Sequence, residues 1–204
     1  MLHFQRARLP CYAGVMRTSF VLLALSIILF LPRQAIAAAQ PESISGIDIV
    51  DAKPVLVEMA KEKGVAVVFL SAVCPCSNSH LQELSALAKE YSEFKFLGVH
   101  SNTDEAKEAT ELYFKGAKLP FPVIHDKGAA IANRFKAFKT PHAFLMKEGA
   151  VVYQGGVSSS KNFENADRKF LREALEDLKN NRPVKTPEGR TLGCVITRGE
   201  KDVW

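Results

Sequence analysis

The sequence predicts an α/β domain built in layers, and three observations carry that prediction. Valine-rich apolar runs alternate with segments whose leucines recur at helical spacing. Two apolar strands joined at Glu148–Gly149 follow, and an amphipathic helix closes the pattern. No internal repeat or long linker divides the chain, so alternating β and α elements followed by a hairpin and a helix argue for one layered domain.

The elements follow in order. Residues 40–50 read as a polar lead-in, and "AKPVLVEMAKEKG" (52–64) allows a short helix ending at Gly64. "VAVVFLSA" (65–72) is almost wholly apolar and reads as a central strand covered on both faces. Across 77–91, Leu81, Leu84, Leu87, Ala88 and Tyr91 share one helical face. "FKFLGVHS" (94–101) is a second strand. A helix begins after Asn102 or Thr103, with Asp104 and Glu105 in its first turn, and runs to about Lys115. "FPVIHD" (121–126) is a short third strand and "AAIANRFKA" (129–137) a short helix. "HAFLMKEGAVVYQGGV" (142–157) is the hairpin, and residues 163–179 are the surface helix, striped by Phe163, Phe170, Leu171, Leu175 and Leu178. "NNRPVKTPEGR" (180–190) breaks structure, and "TLGCVI" turns apolar again, as a tail does when it packs back on a domain.

The first 39 residues differ from the rest. "FVLLALSIILFL" (20–31) is shorter than the roughly 20 apolar residues of an easy membrane span. Arg17 precedes it and "AIAAAQ" follows, the pattern of a signal peptide cleaved after Ala37 or Ala39, with Met16 as an alternative start. The expected organisation is a cleaved segment 1–39, a domain over 40–181 and a tail over 182–204, placed in a periplasmic or secreted, oxidising compartment. The formal charge of +5 includes four arginines before Gln40, which leaves the mature chain near neutrality and argues against a nucleic-acid surface. Stable membrane insertion is not expected after cleavage, and no feature marks an oligomer interface.

Chemistry concentrates in "FLSAVCPCSNSHLQEL" (69–84). Cys74 directly follows the most apolar strand, and Cys76 enters the next helix. Both therefore lie near free helix amides and the positive end of the dipole, which favour a thiolate. Pro75 suits a first helical turn, where its missing N–H costs nothing. His80, four residues after Cys76, falls on the same helical face, so Cys74, Cys76 and His80 form a conceivable three-ligand set for copper or zinc. Cys194 is the third cysteine of the mature chain. His100 and His125 end two strands and read as ordinary loop entries.

These segments resemble the thioredoxin-like redoxins, in particular an exported (AhpC/TSA-type) group with a Cys-Pro-x-Ser-Asn motif, here Cys74, Pro75, Cys76, Ser77 and Asn78. "LPFPVIHD" is similar to the family's third strand. "KTPHAFL" is similar to its threonine–proline entry to the hairpin, and the ending Thr191, Gly193, Cys194 and Ile196 matches its C-terminal Gly-Cys motif. The likeness spans roughly residues 50–197. It implies a central mixed sheet flanked by helices on both faces, a cis Pro141, and a substrate edge at Thr140, Pro141 and His142. It also implies exchange with protein or small-molecule thiols and disulfides, and no bound cofactor.

The departures from that family define the alternatives. One residue, not two, separates Cys74 from Cys76, and a bond between them would close a small, strained ring. Ser71 stands three residues before Cys74, where peroxiredoxins place a hydroxyl, but their proline is absent and Arg134 is poorly spaced to replace their arginine. The leading expectation is a thiol–disulfide oxidoreductase using Cys74, Cys76 and Cys194. A thiol peroxidase and a copper-binding module on the Cys-Pro-Cys pair are the alternatives. Cys74 is expected to be the nucleophile. Three pairings stay open: Cys74–Cys194, Cys74–Cys76 and Cys76–Cys194. The first closes a loop of about 120 residues, worth on the order of 4–5 kcal/mol in the entropy model.

Overall fold

A computed structural model describes residues 42–199. The expected signal peptide falls on residues outside that range. The polar lead-in is in fact a strand: β1 (Ser43–Ile47) pairs antiparallel with β2 (Pro54–Glu58). The helix expected over 52–64 is therefore corrected to a strand. Val55 and Val57 are β-branched, and Val57 and Met59 are buried against the sheet beside Ile44.

β3 (Val65–Leu70) has every residue buried. Alternate residues serve opposite faces, as the two-residue period of a strand demands. Ala66, Val68 and Leu70 join one core cluster, and Val65, Val67 and Phe69 the other. Helix α1 (Pro75–Glu90) follows, then β4 (Lys95–His100), α2 (Lys107–Ala117), β5 (Val123–His125) and the short α3 (Ala130–Phe135). β6 (Lys139–Thr140) leads into the hairpin of β7 (His142–Lys147) and β8 (Ala150–Gly155). Glu148 and Gly149 both have positive φ, 51° and 79°, as a two-residue hairpin turn of primed type requires.

The main sheet has the order β5-β4-β3-β7-β8, with β3, β4 and β5 parallel and β7 and β8 antiparallel. Leu84 and Leu87 of α1, and Tyr91 at its C-cap, cover one face with Leu171, Leu175 and Leu178 of α4 (Phe170–Lys179). Ala132 and Phe135 of α3 and the β1–β2 hairpin cover the other. On that face Phe69 meets Phe135 and Phe144 edge-on, at centroid distances of 5.9 and 5.8 Å. The helix expected over 163–179 begins only at Phe170, and Phe163–Asn165 is a separate 3₁₀ turn. Arg172 of α4 reaches Glu83 and Glu90 of α1 at 2.8 and 2.5 Å, fixing the two helices side by side.

The tail runs along the domain. Gln154 N–H donates to Pro187 O and Gly189 N–H to Gln154 O, both at 2.9 Å. The chain then crosses to β6, where β9 (Cys194–Val195) pairs antiparallel with Lys139–Thr140. Ile196 is buried in the Phe69 cluster, and Ile196 N–H donates to Phe138 O. Beyond it, Gly199 N–H donates to Thr103 Oγ1 at 2.7 Å. Among the described residues no helix is long and apolar enough to cross a membrane.

Candidate functional site

The site forms where β3 ends and α1 begins. Cys74 is the N-cap of α1, with extended backbone (φ −80°, ψ 114°) and Pro75 next in the first turn. Its Sγ accepts the Ser77 N–H at 3.4 Å, a duty usually left to Ser, Thr, Asp or Asn. A sulfur held there faces unpaired amides and the positive end of the helix dipole.

A buried carboxyl group braces this turn from behind. Cys74 N–H donates to Ser71 Oγ at 3.0 Å, and the Ser71 hydroxyl donates to Glu105 Oε1 at 2.6 Å. Glu105 also accepts the Ala72 N–H at 2.8 Å and the Asn102 amide. Glu105 is 5% exposed. The sequence predicts Glu105 in the first turn of a helix, whereas α2 starts only after Ala106 and Glu105 lies in the loop at the carboxyl end of β4. Parallel β3 and β4 end side by side, Leu70 opposite His100, so the two following loops meet. That juxtaposition is the signal by which Glu105 could have been found.

The third wall comes from β6 and the tail. The Thr140–Pro141 bond is cis. Cys194 lies opposite Thr140 in the β6–β9 ladder, and its Sγ is 2.7 Å from Cys74 Sγ. The Cys74 thiol is also 3.1 Å from Thr140 O, to which its protonated form donates. All three sulfurs, of Cys74, Cys76 and Cys194, lie within 4.8 Å of one another. Cys74 and Cys76 are buried and Cys194 is partly exposed.

The three thiols are not equivalent. Burial pushes Cys74 up, but the hydrogen bonds it receives, foremost from the Cys194 thiol and also from Ser77 N–H, outweigh burial and lower it to about 7. Burial and then the hydrogen bond to Cys74 push Cys194 up to about 12. Burial and the Cys74 charge raise Cys76. One thiolate is thus shared between two sulfurs, with Cys74 holding the charge and Cys194 the proton. Thiolate absorbance in the ultraviolet should therefore titrate with a midpoint near pH 7, the thiolate being lost as pH falls through it. Cys194→Ala should move the midpoint upward, toward the ordinary thiol value, and an unmoved midpoint would remove Cys194 as its cause.

The other candidates lie elsewhere. His142 packs its ring against Phe138 and Phe144, at 5.2 and 4.5 Å, and burial lowers it to about 4. Among the described residues no hydrogen bond links it to a cysteine, so it is a neutral ring lining the strand. His80 does not join the cysteine sulfurs. Its Nδ1 lies 2.7 Å from Cys76 O and its Nε2 2.7 Å from Ser158 Oγ, tying α1 to the loop after β8. The ligand set Cys74, Cys76 and His80 is corrected accordingly. The Ser71 hydroxyl donates to Glu105 and accepts from the Cys74 N–H, and does not engage a sulfur.

The AhpC/TSA family model matches residues 45–156. No curated protein matches the chain. Among solved structures, an uncharacterized conserved protein from Geobacillus kaustophilus is similar at 22% identity and a TM-score of 0.71, over 79% of this chain and 92% of that one. A hypothetical protein from Sinorhizobium meliloti 1021 is similar at 21% and 0.70, over 81% and 97%. The exposed lipoprotein thioredoxin from Streptococcus pneumoniae TIGR4 is similar at 18% and 0.54, over 68% and 98%. At these identities the likeness is one of fold, and the fold is thioredoxin-like.

Proposed function

Because the chain belongs to the AhpC/TSA family, we propose that it is an exported thiol–disulfide oxidoreductase in which Cys74 attacks and Cys194 resolves. The observation that carries this reading is the 2.7 Å separation of the two sulfurs at the amide end of α1.

The cycle conserves atoms and electrons as follows. The Cys74 thiolate attacks one sulfur of a substrate disulfide. A Cys74–substrate disulfide forms, and the first substrate sulfur leaves as a thiolate that takes a proton from solvent. Cys74 no longer carries the charge that helped hold the Cys194 proton. Cys194 loses that proton to the departing second sulfur and attacks Cys74. The substrate is released as two thiols, and the chain is left with a Cys74–Cys194 disulfide. An external dithiol restores the reduced chain, and the exchange runs in either direction according to the two potentials. Thr140 and Pro141, with His142 behind them, are the proposed substrate edge. The chain's own β9 lies on that edge, so an extended polypeptide substrate has to displace the tail, while a small disulfide does not.

A thiol peroxidase is the second reading, and family membership favours it. Against it, no arginine hydrogen-bonds to Cys74 among the described residues, and the Ser71 hydroxyl is engaged elsewhere. Reduction of a protein disulfide, a small disulfide and hydrogen peroxide, measured in parallel, tests the two. Exchange with disulfides much faster than with peroxide is expected, and the reverse order overturns the reading. For export, the mature N-terminus is expected near Ala38 or Gln40 by N-terminal sequencing, and an uncleaved chain in the membrane fraction overturns it.

A further inference from the structure

The two-thiol cycle leaves Cys76 without a task. It stands in the first turn of α1, 8% exposed, with its sulfur within 4.8 Å of the other two. The three sulfurs come from three places: the N-cap of α1, its first turn, and β9. His80 is spent on Cys76 O and Ser158, and among the described residues no carboxylate or imidazole completes the cluster.

We propose that the reduced chain binds one Cu(I) ion through Cys74, Cys76 and Cys194. A purely sulfur donor set selects soft ions. Three thiolates without a fourth ligand do not provide the closed tetrahedral set of structural zinc. With metal–sulfur bonds of about 2.3 Å, trigonal ligands stand about 4 Å apart. The three sulfurs lie within 4.8 Å of one another, close to that scale, and the Cys74–Cys194 pair has to open from 2.7 Å. Cys194 can provide the opening, because it is the partly exposed member and sits on the tail. Binding replaces thiol protons, which pass to solvent, and moves no electrons. A disulfide between any two of the three removes two ligands, so copper binding and the oxidised state exclude each other.

The proposal does not depend on exchange activity, and neither does its test. Reduced protein is titrated anaerobically against Cu(I) held by a coloured chelator. Withdrawal of one equivalent per chain is expected, and none by the oxidised wild-type chain. Cys76→Ser should bind at least about a hundredfold more weakly, since loss of even an outer-shell partner costs up to about that factor. Formation of the Cys74–Cys194 bond on oxidation of that variant shows that its fold is intact, and if it does not fold, the oxidised wild-type chain still decides. Copper left with the chelator by the reduced chain, or wild-type affinity in Cys76→Ser or in the oxidised chain, overturns the proposal.

Discussion

Cys74→Ser should lower disulfide exchange by at least about a thousandfold, because it removes the nucleophile and no other group can replace it. A serine hydroxyl at the N-cap still accepts the Ser77 N–H, so the helix start survives. What is lost is a sulfur that is ionised near neutrality. Cys76 cannot substitute, since burial still holds its proton on. Cys194 cannot either, since burial raises it and it lies on the tail, not on the helix amides. Cys194→Ser gives a different failure. Attack by Cys74 continues, the mixed disulfide accumulates, and turnover stops at the second step. Rapid quench with a thiol-alkylating reagent followed by mass spectrometry separates the two variants. Equal burst amplitudes, or a covalent intermediate trapped in Cys74→Ser, would reassign the nucleophile.

Much of this is legible in the sequence, and the reasons are physical. A six-residue run with no polar member, Val65–Leu70, has to be covered on both faces. Leucines at helical spacing behind it have to form an amphipathic helix. A cysteine between the two has to sit at an amide end, and Cys74 does. The β1–β2 hairpin was not legible. "VLVEMAKEK" suits a short strand or a short helix equally, and its partner, Ser43–Ile47, looks polar in isolation. Pairing with a second segment decided the outcome, and a local pattern does not contain that information.

The same limit applies within the site. His80 is four residues from Cys76, but its ring turns back to the Cys76 carbonyl, a backbone partner that spacing arguments overlook. Glu105 is adjacent to Cys74 only because β3 and β4 run in register. The meeting of Cys74 with Cys194, 120 positions apart, depends on how the tail returns. Its apolar flanks indicate that it packs, but do not say which strand it joins.

How it joins rests on Gly193, and Gly193→Ala should slow closure of the Cys74–Cys194 bond by about a hundredfold, the scale expected when reacting groups are misplaced by about 1 Å. Gly193 has φ +154°, and a Cβ built there would lie 2.0 Å from Thr140 O and 2.7 Å from Thr140 C. Neither neighbour is a flexible side chain; both are backbone of the strand that β9 pairs with. The tail has to lift off Thr140 locally. It remains tied on both sides, by Gly189 to Gln154 and by Ile196 to Phe138, so the domain stays folded while the intervening sulfur shifts. Attack by Cys74 continues, and the mixed disulfide persists. The Cys74 titration midpoint should also rise from near 7, because the proton that Cys194 shares with it is withdrawn. Val195→Ala is the matched control: Val195 is 65% exposed and its truncation should leave the closure rate unchanged. Closure followed by alkylation at timed intervals gives the result. A wild-type rate in Gly193→Ala would show that the β6–β9 contact does not position Cys194, and the resolving role would then have to be tested for Cys76.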